Sequence, residues 1–359
     1  MLQNHQERGT KKDFGRFCYT EPMHIPDGYL SPGTAGVFYG AMLPVWYGAA
    51  RRVRSALSAR LLPVMALMSA FCFVIQMLNV PLPGGTTGHA VGAGLAAIVL
   101  GPWPAVIAVS ATLVVQALLF GDGGITAIGA NCFNMAFVQV LVSYYLYRIT
   151  SVKASTPAGH GAAAAVSCYI GMNVSALVAG VQLGLQPLLA HSPDGTPLYA
   201  PYPLSVAVPA MVLGHLVAGL AEAVVAAAGV SYMQRSAPEL FVPAAAPAAE
   251  LPLFWRRLRT WWIVIGALVI LTPLGLLAPG TAWGEWGSDQ LSELGLRFVP
   301  EGLARLEGFW KAIFAGYSVP GIGEKAGYVM SAGLGVAFIA LVFWGLTLAG
   351  RRSAAHDGH

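Results

Sequence analysis

The chain has 359 residues, 56% of them hydrophobic and only 10% charged, with a formal net charge of +4 and a mean hydropathy of +0.63. That composition excludes an ordinary water-soluble globule, and no basic patch with interleaved aromatics points to nucleic acid. It reads as an all-α, polytopic helical membrane protein, with about a seven-span core and a two-span C-terminal module.

Residues 1–22 carry Arg8, Lys11, Lys12 and Arg16 with no apolar core, so they do not form a signal peptide. A first span is expected over about 34–50, stopping at Arg51-Arg52-Val53-Arg54, and a second over about 61–80. The apolar stretch 88–120 is interrupted by Gly101-Pro102-Trp103-Pro104. That break predicts a turn between two short helices, each near the lower limit for crossing about 30 Å of hydrocarbon. A fifth span is expected over 126–147, a sixth over 161–185 and an over-long seventh over 203–233. Residues 236–255, rich in Ala and Pro, read as a linker. An eighth span follows Arg256-Arg257-Leu258-Arg259 and reaches about Ala278, and a ninth covers about 326–348 and closes at Arg351-Arg352. The expected domains are an extension 1–22, a membrane domain 23–235, the linker 236–255, a two-span module 256–352 with an external segment, and a polar tail 353–359.

Threading the spans alternately gathers Arg51, Arg52, Arg54, Arg60, Arg148, Lys153, Arg235, Arg256, Arg257, Arg259, Arg351 and Arg352 on one face, 12 of the 20 basic residues. The positive-inside rule makes that face cytoplasmic. The opposite face receives Met23-His24, His89, Asp122 and the segments 186–202 and 280–325. Cys18, Cys72, Cys132 and Cys168 show no CxxC spacing, so neither a disulfide framework nor a zinc knuckle is suggested.

One external stretch, Met23-His24-Ile25-Pro26-Asp27-Gly28-Tyr29-Leu30, carries specific chemistry. A free amine on Met23, the amide of His24 and the imidazole of His24 chelate a divalent metal in fused five- and six-membered rings. The resulting field is approximately square-planar and suits nickel(II) or copper(II). His89, in Gly84-Gly85-Thr86-Thr87-Gly88-His89, is the best-placed supplier of a fourth nitrogen. The bland alternative is an ordinary surface histidine.

These two strings, with Phe120-Gly121-Asp122-Gly123-Gly124-Ile125-Thr126-Ala127-Ile128-Gly129-Ala130-Asn131-Cys132-Phe133-Asn134-Met135, resemble the CbiM/NikM family over residues 23–233. Members are the substrate-binding (S) components of energy-coupling-factor (ECF) importers for cobalt and nickel. The resemblance implies Met23, His24 and His89 as metal ligands and transported Co2+ or Ni2+ as cargo, with no prosthetic group. It also implies a transmembrane coupling protein of the CbiQ/NikQ kind and a cytoplasmic ATPase of the CbiO/NikO kind as partners in a prokaryotic plasma membrane, with the metal captured outside. One departure is that 22 residues precede the motif. An upstream peptide bond would abolish the amine ligand, so the working chain is expected to begin at Met23. The tail, through Gly280-Thr281-Ala282-Trp283-Gly284-Glu285-Trp286-Gly287, is similar to the small accessory component CbiN/NikN, although that family's Pro-Asp-Gly-Leu-Glu string is absent and Pro300-Glu301-Gly302-Leu303 is its nearest approach.

His215 and Glu222, seven residues apart on the seventh span, form a polar relay or a pair locking helices. Asp122 orients a ligand histidine or stabilises its own turn. Asn131 and Asn134 fix the loop carrying the site or cross-link helices. Neither GxxxxGK[ST] nor HExxH occurs, which argues against ATP hydrolysis by this chain and against a zinc protease. The competing readings are a membrane-embedded metalloenzyme using copper or zinc and an ATP-independent metal channel.

Overall fold

The computed structural model describes residues 24–55, 60–241, 251–278 and 280–356. Met23, the extension 1–22, linker residues 242–250 and tail residues 357–359 lie outside the described residues. The protein is a helical bundle. The only sheet among the described residues is a hairpin of β1 (Val80–Leu82) and β2 (Thr86–Gly88), pairing Val80 with Gly88 and Leu82 with Thr86.

The core opens with α1 (Pro32–Ser55). Its start is capped by the Ser31 hydroxyl, which accepts from the Thr34 amide at 3.3 Å, and Arg52 and Arg54 occupy its last turn. Helix α2 (Leu61–Gln76) is buried along nearly its whole length. After the hairpin come α3 (Ala93–Leu100) and α4 (Pro102–Val115), the latter continuing as a wider π turn over Gln116–Phe120. Helix α5 (Ile128–Asn131), a π segment Cys132–Gln139 and α6 (Val140–Thr150) form one continuous rod. Helix α7 (Pro157–Gly184), the short α8 (Gln186–Leu189) and α9 (Leu204–Ser236) complete the core. After it follow α10 (Leu251–Leu271), the small helices α11 (Ser288–Glu293) and α12 (Glu301–Leu306), and α13 (Glu324–His356).

Among the described residues five segments are long and apolar enough to cross a membrane: Pro102–Phe120, Pro157–Leu189, Leu204–Ser236, Phe254–Leu277 and Glu324–Leu348. Two expected spans are corrected. The second helix stops at Gln76 rather than near residue 80, because residues 80–82 are drawn into the hairpin. The third is only eight residues long, about 12 Å, and too short to cross 30 Å of hydrocarbon alone. Gly92, at φ 75°, supplies the left-handed turn on which α3 starts.

Packing follows the small-residue rule of membrane helices. On α7, a Cβ on Gly180 would stand 3.1 Å from Cα of Val208, and one on Gly184 would stand 2.7 Å from Cα of Leu204, so α9 lies directly against the α7 backbone. The C-terminal helices α10 and α13 cover α2, where the Tyr328 hydroxyl donates to the Met77 carbonyl at 3.0 Å. The segment between α10 and α13 runs over one end of the core. Its main chain meets the hairpin at Thr87, whose amide donates to the Thr281 carbonyl at 3.4 Å. It meets the loop after α4 where the Phe314 amide donates to the Leu119 carbonyl at 2.8 Å, and residues 198–200 where the Gly302 amide donates to the Leu198 carbonyl at 2.7 Å. The Tyr29 hydroxyl donates to the Trp286 carbonyl at 2.6 Å.

Candidate metal centre

The segment entering α1 is held by side-chain hydrogen bonds to its main chain. The Asn131 amide group spans Ile25, accepting from its N–H at 3.2 Å and donating to its C=O at 3.1 Å. The Asp27 carboxylate accepts from the Ile125 and Thr126 amides at 3.1 and 2.7 Å. Residues 24–27 are thereby fastened to the turn 121–127. Gly123, at φ +89°, lies against them, and a Cβ there would stand 3.0 Å from Cβ of His24.

His24 and His89 arrive from different parts of the chain and meet with ring centroids 5.5 Å apart, edge to face. Both are buried. Nδ1 of His24 lies 3.1 Å from Oδ1 of Asp122, while among the described residues its Nε2 has no hydrogen-bond partner. Burial works against charge on this ring, but the Asp122 carboxylate outweighs it and the His24 pKa is raised above its ordinary 6.5. His89 goes the other way: burial, then the neighbouring His24, lowers its pKa to about 4. Nδ1 of His89 donates to the Ala90 carbonyl at 3.1 Å, which fixes the tautomer and leaves Nε2 as a lone-pair donor.

Asp122 serves two partners. Its Oδ2 accepts from the Tyr317 hydroxyl at 2.6 Å, and that hydroxyl in turn accepts from Gln116 Nε2 at 3.2 Å. Tyr317 belongs to the external segment of the C-terminal module, is buried, stacks on Phe120 with centroids 5.0 Å apart, and has a left-handed backbone at φ 56°. Nothing in the sequence pattern pointed to it.

Beyond His89 the main chain is again pinned. Glu222 Oε2 accepts from the Val91 and Gly92 amides at 2.8 and 2.9 Å, and its Oε1 accepts from Gln139 Nε2 at 3.2 Å. His215 instead donates from Nδ1 to the Met211 carbonyl at 2.7 Å. The two residues expected to act as a pair therefore make separate contacts. Asn134 forms a reciprocal amide pair with Gln182 of α7 at 2.9 and 2.6 Å, a partner the sequence did not signal.

Around these groups lies a cavity of about 660 Å3, whose lining includes His24, His89, Asn131, Asn134, His215 and Glu285. Among the described residues no three His, Cys, Asp or Glu side chains are grouped to hold a metal ion. A chelate that draws two of its four nitrogens from the main chain does not need such a group. The three described cysteines, Cys72, Cys132 and Cys168, are free and buried.

Comparison with known proteins agrees with the architecture. The family CbiM, described as the cobalt uptake substrate-specific transmembrane region, matches residues 24–240, and the PDGLE domain matches residues 257–352. The latter matches although the five-residue string itself is missing. The fused nickel transport protein NikMN of Rhodobacter capsulatus is 50% identical over 335 residues, covering 88% of this chain and 95% of that protein. The probable fused nickel transport protein LarMN of Lactiplantibacillus plantarum is 41% identical, covering 90% and 97%. A crystal structure of a truncated transition metal transporter is 51% identical, covers 59% of this chain and 98% of that one, and superposes with a TM-score of 0.56. Family and relatives alike are named for metal transport, so the chain is a membrane transport component and not an enzyme. It belongs to the CbiM family, carrying a PDGLE domain in the same polypeptide.

Proposed function

We propose that the protein is the substrate-capturing membrane component of an ECF-type importer in a prokaryotic plasma membrane. It takes up divalent nickel or cobalt at the extracytoplasmic face through Met23, His24 and His89. The observation that carries this reading is the meeting of His24 and His89 at 5.5 Å, with the main chain beside each fixed by a buried side chain, Asn131 on Ile25 and Glu222 on Val91. The amine of Met23, the amide and Nδ1 of His24 and Nε2 of His89 supply four nitrogens. A five–six fused chelate closes through Nδ1, so the His24 ring turns about Cβ–Cγ as the metal enters and leaves Asp122. Nickel is the favoured cargo, since relatives that match nearly the whole chain are named for nickel transport. A coupling protein of the CbiQ/NikQ kind and an ATPase of the CbiO/NikO kind supply the energy.

The test is metal analysis of the purified full chain beside uptake of both ions by cells expressing the whole transporter. His24→Ala and His89→Ala are each expected to lose high-affinity metal while still inserting into the membrane. Stoichiometric metal at unchanged affinity in His89→Ala refutes the four-nitrogen site, and uptake that persists without the ATPase favours a channel.

A further inference from the structure

Glu285 lies in the Trp283–Trp286 stretch of the external segment, and its amide donates to the Ala282 carbonyl at 3.2 Å in a tight turn. Its carboxyl lines the same cavity as His24 and His89. Oε2 is sealed from solvent, and among the described residues it has no hydrogen-bond partner and no Arg or Lys forms an ion pair with the carboxyl. Glu285 is half-buried, and ionising an unpaired carboxyl in a largely apolar space costs several kcal/mol in general, a cost that an arriving cation offsets. The same cavity holds His215, whose Nδ1 is committed to the Met211 carbonyl, leaving Nε2 as an acceptor. At about 660 Å3 the space admits a cation with its full water shell, each water taking about 30 Å3.

We propose that Glu285 is a staging ligand for the incoming divalent cation, a weak oxygen-donor site that receives the hydrated ion and passes it to the nitrogen chelate. The inference rests on the metal-site reading above. A hard carboxylate binds a hydrated ion quickly and loosely, whereas the chelate forms slowly, because an amide proton must leave. A carboxylate in the same cavity raises the local ion concentration during that wait. The C-terminal module thus contributes a side chain to metal capture, in addition to the Tyr317 hydroxyl that holds Asp122.

The experiment uses the full chain in lipid nanodiscs with Ni2+, following association and chelator-driven dissociation separately. Glu285→Gln is expected to slow association about tenfold and dissociation by the same factor, since a ligand absent from the final complex leaves the equilibrium affinity and the one-to-one stoichiometry unchanged, and Glu285→Asp to recover most of both rates. Unchanged association in Glu285→Gln overturns the proposal. Faster dissociation overturns it too, since Glu285 would then be a permanent ligand or a structural support. A second measurement uses Mn2+, which prefers oxygen donors, in the His89→Ala background, where the chelate is disabled. Weak Mn2+ binding is expected there and should vanish in the His89→Ala/Glu285→Gln double variant. Its survival in the double variant refutes the staging site. Wild-type Ni2+ affinity in His89→Ala alone is a different failure, that of the chelate reading itself.

Discussion

Acid should weaken metal binding steeply, and the two histidines should contribute unequally. Chelation displaces protons from the Met23 amine, ordinarily near 7.7–8.0, from the His24 amide, and from the His24 ring, whose pKa the Asp122 carboxylate raises above 6.5 against the effect of burial. His89, held down to about 4, carries no proton to displace until far lower pH. Below about pH 6.5 some three protons therefore compete for each metal ion. Apparent affinity should fall about a thousandfold per pH unit, or about 4 kcal/mol. The sign is fixed: a raised pKa on a ligand extends proton competition upward, so affinity is lost as pH falls through it. Asp122→Asn removes the carboxylate and leaves burial unopposed, so the His24 pKa should drop and the slope between pH 6.5 and 5.5 should flatten to about two decades per unit. Competition titrations against a chelator of known pH dependence measure both slopes. A wild-type slope of one or less, or an Asp122→Asn profile that superposes on the wild type, would refute the reasoning.

Asn131→Ala removes both hydrogen bonds that span Ile25. Metal affinity is expected to fall about ten- to a hundredfold, as for partners that orient metal ligands, by isothermal titration with the fold checked by circular dichroism. Glu222→Ala leaves the Val91 and Gly92 amides and Gln139 without their acceptor, and should destabilise the protein by about 3 kcal/mol. An unaltered thermal unfolding midpoint would contradict that. Sequencing the amino terminus of the metal-loaded protein should read Met23-His24-Ile25-Pro26. Metal held by a chain in which Met23 is peptide-bonded rules out the amine ligand.

Much of the site was legible in the sequence because its donors sit in short polar strings between apolar spans. Alternating topology placed His24, His89 and Asp122 on one face, and the structure brings the three together. The turn expected at Gly101-Pro102 does divide 88–120 into two helices, α3 and α4, but α3 is shorter than expected. Its end at Gly101 was legible from the Gly-Pro pair, whereas its start at the left-handed Gly92 carries no hydropathy signal. Glu222 was legible as an ionisable group at membrane depth, but two of its partners are main-chain amides about 130 positions away, and no side-chain spacing encodes a bond to backbone. Tyr317 escaped for a related reason. Its role depends on a turn lodged against Phe120 from nearly 200 positions downstream, and an aromatic in a polar segment is unremarkable until that docking is seen.

The brevity of α3 has an electrostatic consequence. The aligned peptide dipoles of a helix leave roughly half a positive charge at its first turn, and here that end begins at Ala93, four residues after His89. Such an end attracts anions and repels a dication. Glu222 places a full carboxylate on the very amides that carry this charge, so the field at His89 changes from repulsive to neutral or slightly negative. Half a helix can thus terminate beside a cation pocket, an arrangement that bare helix ends reserve for phosphate and carboxylate ligands. Replacing Glu222 with Gln would keep most of those contacts in shape and still restore the opposing field.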